Sequence, residues 1–278
     1  MIDRPGKATR NANDILLETK GLTKIFGGLT AVNDFDLDIH KGEILSLIGP
    51  NGAGKTTVFN VVTGIYRPEH GDVVFKGRKI TGRKPHQIIA AGIARTFQNI
   101  RLFPDMTCLE NIMAGQHCRA KAGLAASVFR TPKMRREERR TRQVAEDRIR
   151  QVDLWDFRDE LAKNIAYGSQ KMLEIARALA SEPELLVLDE PSSGLNPKET
   201  EDLMAFLQGL IREEDLTILL IEHDMNVVMG ISDWVVVMDE GRKIAEGLPI
   251  EVYNNPEVIE AYLGKEEGGG EDAGPASH

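Results

Sequence analysis

The sequence is poor in cysteine and has no long apolar run, and both absences narrow the class of protein. Its 278 residues include only two cysteines, Cys108 and Cys118. Two are too few for a disulfide framework, and no second pair exists to complete a zinc site. We therefore expect reduced thiols, as in a cytosolic protein. The polar start, MIDRPGKATRNAND, has no apolar run typical of a signal peptide or an anchor, and none long enough to span a membrane follows. If the protein serves a membrane, we expect another chain to span it.

An excess of positive charge is missing as well. The chain carries 35 Lys and Arg residues against 43 Asp and Glu residues, a formal net charge of -8. Proteins whose main partner is nucleic acid usually carry a basic surface, so the composition argues against that class. Hydrophobic residues at 41% and charged residues at 28% are typical of a globular protein. The length suits one large α/β domain, or a core domain carrying a smaller one.

Short apolar runs predict two kinds of strand. ILLETK, AVNDFDLDIH and GDVVFKGRKI alternate partly and are bounded by turn residues, which predicts short strands of a mostly antiparallel sheet. EILSLIG, LLVLDE and TILLIE are compact apolar runs, each followed by a turn and a helical pattern, as expected for buried parallel strands. Residues from about 104 to 165 have a helical pattern. We expect one folded domain over 14–264 between flexible tails at 1–13 and 265–278.

Basic residues are concentrated within the helical region, over 133–150. We interpret this stretch as a solvated helix face, with a contact to anionic lipid or a partner as the alternative. The basic residues are Lys133, Arg135, Arg136, Arg139, Arg140, Arg142, Arg148 and Arg150.

A phosphate-binding pattern follows the first compact apolar run. GPNGAGKTT matches G-x-x-x-x-G-K-[ST] directly after EILSLI. Glycines let backbone N–H groups point at a β-phosphate, and the helix that follows adds its positive end. Lys55 is predicted to reach the β- and γ-phosphates and Thr56 to hold Mg²⁺. A chance Gly-rich turn is the alternative, which the preceding strand disfavours. The predicted nucleotide-binding residues are Gly49, Pro50, Asn51, Gly52, Ala53, Gly54, Lys55, Thr56 and Thr57.

Two acidic residues end the run LLVLDE. Asp189 is placed for the shell of a magnesium ion, and Glu190 could polarise a water for in-line attack on a γ-phosphate. Acidic residues after a strand also occur as a plain turn, but the phosphate-binding pattern favours the functional interpretation.

The stretch IAYGSQKMLEIARALA, residues 165–180, predicts a helix. Met172, Ile175, Ala176 and Leu179 recur at helical spacing and are predicted to face the core. The N-terminus of such a helix could also present N–H groups to a phosphate on a partner chain.

With these motifs in view, the sequence resembles the ATP-binding subunits of ABC transporters over nearly all of its folded part. The resemblance is specific because six motifs occur in the family's order: GPNGAGKTT, RTFQN, IAYGSQ, LLVLDEP, SSGLNP and IEHD. It implies an α/β fold, a P-loop NTPase (RecA-like) core with an antiparallel β subdomain and a helical subdomain inserted at about 104–168. It also implies ATP and Mg²⁺ as ligands.

The resemblance assigns roles to three further residues. Gln98 of RTFQN would lie at the metal and phosphate region, where it counts with Thr56 and Asp189 among the magnesium residues. His223 of IEHD would contact the γ-phosphate and act with Glu190 in catalysis. Phe26 would stack on adenine. Taken alone, a histidine after an apolar strand is more often structural, and Phe26 would be a core or turn aromatic.

The resemblance further implies two ATPase subunits that close head to tail, each nucleotide lying between the phosphate loop of one and the signature turn of the other. Ala166 stands where the family has a serine and Asn196 where it more often has aspartate, so we ask whether Ser169 supplies the missing hydroxyl. The signature residues are Ala166, Tyr167, Gly168, Ser169 and Gln170, and the inter-subunit loop contains Ser193, Gly194, Leu195 and Asn196.

Within the family, the chain is most similar to the larger ATPase of Liv-type importers for branched-chain amino acids. FGGLTAVNDF, IEHDMNVVM and IAEGLPIEVYNNPEVIEAYLG carry this likeness. It implies a second ATPase subunit, identical or a paralogue, with two membrane permeases and, indirectly, a substrate-binding protein. The chain would lie peripherally at the cytoplasmic face of the inner membrane, without nucleic acid. The substrate rests on resemblance alone. A urea or amide importer, a lipopolysaccharide exporter and a soluble non-transport ABC ATPase are the alternatives.

Overall fold

The computed structural model describes residues 10–11, 14–116 and 132–263, with side chains in the last range beginning at Arg135. Most of the predicted N-terminal tail, the predicted C-terminal tail and Cys118 lie outside the described residues. Among the described helices, none has the length and apolar character needed to cross a bilayer.

The described part of the chain contains ten strands and nine α-helices, with two short 3-10 helices at Trp155–Phe157 and Ala162–Asn164. The strands are β1 (Ile15–Phe26), β2 (Leu29–His40), β3 (Ile44–Ile48), β4 (His70–Phe75), β5 (Arg78–Lys79), β6 (Ile93–Arg95), β7 (Leu185–Asp189), β8 (Thr217–Ile221), β9 (Trp234–Asp239) and β10 (Arg242–Gly247). The helices are α1 (Lys55–Val62), α2 (Pro85–Ala91), α3 (Cys108–Ala114), α4 (Pro132–Gln151), α5 (Tyr167–Leu179), α6 (Pro197–Glu214), α7 (Met225–Ile231), α8 (Pro249–Tyr253) and α9 (Pro256–Leu263).

The first sheet is antiparallel, in the order β2-β1-β4-β5. Its inward side chains, among them Leu17, Leu22 and Phe35, are buried against the core. The predicted antiparallel sheet is therefore confirmed, but β1 and β2 are not short. They run for 12 residues each, and a tight turn at Gly27 and Gly28 joins them into one long hairpin.

The second sheet has six strands in the order β10-β9-β3-β8-β7-β6. All of its neighbouring pairs are parallel except β9 with β10. All five residues of β3, β7 and β8 are buried, which confirms the three predicted parallel strands. Ile221 of β8 pairs with Leu47 on one side and Asp189 on the other, so these three strands end level with one another.

A helical unit lies between β6 and β7 in the sequence, as predicted. Cys108 and Ile112 of α3, together with Ala145 and Ile149 of α4, form a separate core with α5. The described basic side chains of α4 are mostly exposed, while Arg148 pairs with Glu214 at 2.6 Å. This exposure agrees with the interpretation of a solvated helix face.

Helix α5 is buried on two sides, since it packs against both this helical core and the six-stranded sheet. Ile175, Ala176 and Leu179 are buried as predicted, whereas Met172 is only half-buried. Leu173, which the single predicted stripe omitted, is fully buried. A helix that contacts two cores buries more than one stripe, which explains the difference.

The burial of Cys108 gives a first prediction. Burial, reinforced by the nearby Glu160 carboxylate, raises the pKa of the Cys108 thiol to about 11. Because the thiolate is the reactive form, Cys108 should resist iodoacetamide in the folded protein at about pH 8 and react in the unfolded chain. Peptide mass spectrometry reads its modification separately from that of Cys118. Equal labelling of Cys108 in folded and unfolded protein would contradict the burial described here.

Candidate functional site

The phosphate-binding pattern forms a loop between β3 and α1. Gly49, Gly52 and Gly54 adopt φ angles of 148°, 83° and 103°, which side-chain-bearing residues rarely adopt. Gly54 is the N-cap of α1, and neither a side-chain cap nor an acidic residue occupies the first turn of that helix. The helix therefore presents its N-terminal N–H groups without an internal anion, as an anion-binding site requires.

Close packing holds this loop against two strands. A Cβ atom on Gly49 would overlap the carbonyl of Met238 in β9, and one on Gly54 would overlap the carbonyl of Ala31 in β2. Lys55 is buried, and its Nζ donates to the carbonyl oxygens of Gly49 at 2.6 Å and Pro50 at 2.8 Å. The lysine head is thus held within the loop, beside the N-terminus of α1.

The two residues predicted to be catalytic, Glu190 and His223, meet the predicted magnesium residue Gln98 beyond the end of β7. Glu190 has a φ of 47°, and its N–H donates to the Ile221 carbonyl at 3.0 Å. The Gln98 amide donates to Glu190 Oε2 at 2.9 Å, and His223 Nδ1 lies 3.8 Å from the same oxygen. The structure therefore brings Gln98, Glu190 and His223 together around one carboxylate oxygen.

Asp189 lies at the end of β7, where it forms an ion pair that sequence reasoning missed. Arg95 Nη2 donates to Asp189 Oδ2 at 2.9 Å, and both side chains are buried. Burial raises the pKa of Asp189, and the Arg95 guanidinium opposes that shift. Arg95 belongs to the motif RTFQN, in which only Gln98 was assigned a role, so the motif itself was the available signal.

The donor set suits magnesium only if a ligand contributes to it. Thr56 and Asp189 offer hard oxygen atoms, which Mg²⁺ prefers. Among the described residues, no group of three or more His, Cys, Asp and Glu side chains could hold a metal by itself. Such a site fits the usual magnesium arrangement, in which one or two protein oxygens act together with phosphate oxygens.

Two buried charged residues connect the functional loops and were also missed. Glu222 is fully buried, and its carboxylate accepts from the N–H groups of Ser192 at 2.9 Å and His223 at 3.2 Å. Lys171 is buried, and its Nζ donates to the carbonyls of Gln98 at 3.2 Å and Glu190 at 3.4 Å. Burial lowers the pKa of Lys171. Both residues adjoin assigned motif residues, but nothing in the local pattern indicates their partners.

The signature turn opens α5. Ala166 is the N-cap residue and makes no side-chain cap bond. Tyr167 is half-exposed, and its hydroxyl donates to the Ser193 carbonyl at 3.4 Å. The Gln170 amide donates to Ile165 within the same turn at 3.0 Å. Gln170 therefore stabilises the turn internally, although the resemblance implied that it serves the partner chain.

A contact within the same chain explains why residue 168 is a glycine. A Cβ atom there would overlap the carboxylate of Glu199 at the start of α6. Glu199 also forms a reciprocal cap with Asn196: Asn196 Oδ1 accepts from Glu199 N at 3.0 Å, and Glu199 Oε2 accepts from Asn196 N at 2.9 Å. Asn196 is thus the N-cap of α6, a position that suits asparagine and aspartate equally.

The remaining predicted residues differ in how far they are exposed to a ligand or partner. Phe26 ends β1 with 40% of its surface exposed, and it contacts Tyr66 edge to face with ring centroids 5.1 Å apart. Lys24 Nζ lies 5.0 Å from the Phe26 ring centroid. Thr56 and Gly194 are exposed, and Ser193 and Ser169 are half-buried.

A buried strand, a glycine-rich loop and a helix, together with an acidic strand end on the same mostly parallel sheet, define a P-loop NTPase. Comparison with known proteins gives the particular family. The sequence profile described as ABC transporter matches residues 32–193, and a second, described as Branched-chain amino acid ATP-binding cassette transporter, matches residues 242–268. The chain belongs to the ABC transporter family, among its ATP-binding proteins, and is an ATPase coupled to transport.

The chain aligns with known relatives over nearly the full length of each relative. The chain is 48% identical over 250 residues to the high-affinity branched-chain amino acid transport ATP-binding protein BraF of Pseudomonas aeruginosa, covering 90% of this chain and 98% of that protein. It is 46% identical to LivG of Escherichia coli, of the same description, with the same coverage. A crystal structure of the ADP conformation of an ATP-binding cassette matches with a TM-score of 0.78, at 31% identity, covering 90% of this chain and 99% of that one.

The glycines of the phosphate loop give a second prediction. Gly52→Ala should cost about 1 kcal/mol of unfolding free energy from backbone strain alone, because nothing lies within 4 Å of its added Cβ. Gly49→Ala meets similar strain and also the Met238 carbonyl, which should cost about 1–3 kcal/mol more. Urea unfolding of the two variants measures the difference. Equal destabilisation would show that the contact with β9 does not constrain the loop.

Proposed function

We propose that this ATPase powers an importer for branched-chain amino acids. The observation that carries the ATPase site is the grouping of Gln98 and His223 around the Glu190 carboxylate, level with the phosphate loop. Two findings support the substrate: the relatives BraF and LivG are named as branched-chain amino acid transport proteins, and residues 242–268 match the profile of branched-chain amino acid transporters.

Each group in the site then has a chemical task. Backbone N–H groups of the loop and the Lys55 ammonium bind the β- and γ-phosphates, and Phe26 offers its exposed ring to adenine. Thr56 and Asp189, with Gln98 at the same region, would hold Mg²⁺, which would supply positive charge to neutralise the developing phosphate charge. Glu190 accepts a proton from the attacking water, and His223 donates a hydrogen bond to the γ-phosphate. Gln98 shares the Glu190 carboxylate and therefore orients it.

A second ATPase subunit completes each site in this proposal. The exposed Tyr167, the first-turn residue Ser169 and the exposed Gly194 lie on adjoining surfaces that can face a nucleotide on the partner. A dimeric ATP-binding cassette in a post-hydrolysis state, bound to ADP and Pi, matches this chain with a TM-score of 0.71 at 25% identity, covering 84% of this chain and 99% of that one. Whether the partner is a second copy or a paralogue leaves the site chemistry unchanged.

Membrane permeases are the other proposed partners, with a substrate-binding protein acting through them at the opposite membrane face. Three of the large apolar side chains that are exposed in the described part of the chain belong to the helical unit, and we propose that the permeases contact them. They are Phe103 (49%), Met106 (40%) and Phe157 (46%). Docking there would hold the chain at the cytoplasmic face of the inner membrane.

Replacement of Glu190 tests the whole proposal. Glu190→Gln removes the proton acceptor but keeps the side-chain shape, so ATP should still bind while hydrolysis falls by at least about 100-fold. Cells that carry only this variant should lose uptake of labelled leucine, isoleucine and valine, with Arg148→Gln as the matched control that retains uptake. Normal phosphate release by the Glu190→Gln variant would refute the catalytic assignment.

The uptake arm separates the substrate classes. Loss of urea or amide uptake with normal leucine uptake would show that the protein is the ATPase of a urea or amide importer instead. A lipopolysaccharide export defect would make it the ATPase of an exporter. Co-purification with nucleic acid or ribosomes, rather than polytopic membrane proteins, would overturn the transport role itself.

Ser169 gives a separate prediction for the signature turn. We expect its hydroxyl to replace the one missing at Ala166, so Ser169→Ala should lower turnover about fivefold, the equivalent of one hydrogen bond. ATP binding by an isolated subunit should not change, because the hydroxyl serves the partner's nucleotide. Adding Ala166→Ser to Ser169→Ala should restore turnover. Unchanged turnover in the single variant would leave this contact to backbone donors.

A further inference from the structure

We infer that Arg95 is a positioning residue that fixes the Asp189 carboxylate for Mg²⁺. The inference rests on the proposed function in one respect, namely that Asp189 is the carboxylate of the magnesium site. Arg95 itself would touch neither metal nor nucleotide and would act through its ion pair with Asp189.

The guanidinium is anchored at three points besides Asp189. Nη1 donates to Asn60 Oδ1 at 2.6 Å and to Thr63 Oγ1 at 3.1 Å, and Nε donates to the Thr96 carbonyl at 3.2 Å. Only 9% of the arginine side chain and 4% of the aspartate side chain are exposed. Solvent therefore contributes little to the position of either group.

These anchors join three elements of the site. Asn60 lies in α1, the helix of the phosphate loop, and Thr63 is the C-cap of the same helix. Arg95 ends β6, three residues before Gln98, and Asp189 ends β7. One planar group thus holds the position of the Asp189 carboxylate relative to the helix that carries Lys55 and Thr56.

Aromatic rings restrict the guanidinium further. Its Cζ lies 5.0 Å from the ring centroid of Phe97 and 6.0 Å from that of Phe59. Arginine is suited to this position because a fork of donors can bond several acceptors at once, which a lysine ammonium cannot do in the same geometry. Hydrogen bonds and aromatic rings therefore hold the Arg95 guanidinium in one position, which a chance surface ion pair would not do.

A metal-binding carboxylate gains affinity from such a partner. Hydrogen bonds from outer residues orient the carboxylate, and their removal typically lowers metal affinity by about 10–100-fold. The positive charge of Arg95 acts in the opposite direction, because it repels Mg²⁺. The sign of the change in metal affinity therefore distinguishes positioning from repulsion.

The test measures the metal-dependent part of nucleotide affinity. The dissociation constant of a non-hydrolysable ATP analogue is determined by calorimetry in Mg²⁺ and in EDTA, and the ratio of the two constants is the metal gain. Arg95→Gln should reduce this gain about tenfold while binding in EDTA stays unchanged. Arg95→Lys should also reduce it, because the charge remains but the fork is lost. Arg148→Gln, at another ion-paired and largely buried arginine, is the matched control.

Asp189→Asn separates failure of this inference from failure of the proposed site. If Asp189→Asn loses the gain and Arg95→Gln keeps or increases it, the positioning role of Arg95 is overturned and the magnesium assignment stands. If Asp189→Asn itself keeps the gain, both are overturned. Should Arg95→Gln fail to fold by circular dichroism, the Arg95→Lys ratio decides, and a gain equal to that of the unmodified chain overturns the inference.

Discussion

The parallel pairing of β7, β8 and β3 is the constraint on which the rest of the structure depends. Each strand has five buried residues, so their backbone groups must bond to one another rather than to water. Ile221 of the middle strand pairs with Leu47 on one side and with Asp189 on the other. The segments that follow the three strands therefore begin at one edge of the sheet. Chemistry that needs a phosphate loop, two carboxylates and a histidine is assembled by strand register before any side chain contributes.

Buried charges then hold these segments in place. Glu222 binds the backbone after Glu190, and Lys171 binds the backbone of Glu190 and of Gln98. A buried charge is costly unless its hydrogen-bonding capacity is met, so each ion restricts the loop that satisfies it. The loops of the site are thus coupled through buried charges outside the predicted nucleotide-binding and magnesium residues. Substitution of one of these buried charges should therefore change the backbone position of several motifs at once.

Sequence reasoning predicted the parts of this molecule that local pattern determines. Buried strands, the phosphate loop and the start of α5 follow from runs of a few residues, and the family resemblance assigned Gln98 to the metal and phosphate region and His223 to the γ-phosphate. The partners of Arg95 and Glu222 were not predictable, because they lie far along the chain and depend on how the sheet is ordered. The contact that requires a glycine at position 168 was not predictable either, because its neighbour Glu199 belongs to a different helix. Local sequence pattern therefore predicts where strands, helices and loops lie, whereas the partners of buried side chains follow only from the folded structure.

The placement of Glu199 has a consequence for how the signature turn interacts with anions. Its carboxylate caps α6 and also lies against Gly168, in the first turn of α5. One negative charge is therefore shared by the positive ends of two helices. In the dimer proposed above, a phosphate approaching α5 would therefore compete with an anion that the protein already supplies. This competition would weaken the attraction of the turn for a phosphate, so that the partner's phosphate would leave more readily after hydrolysis.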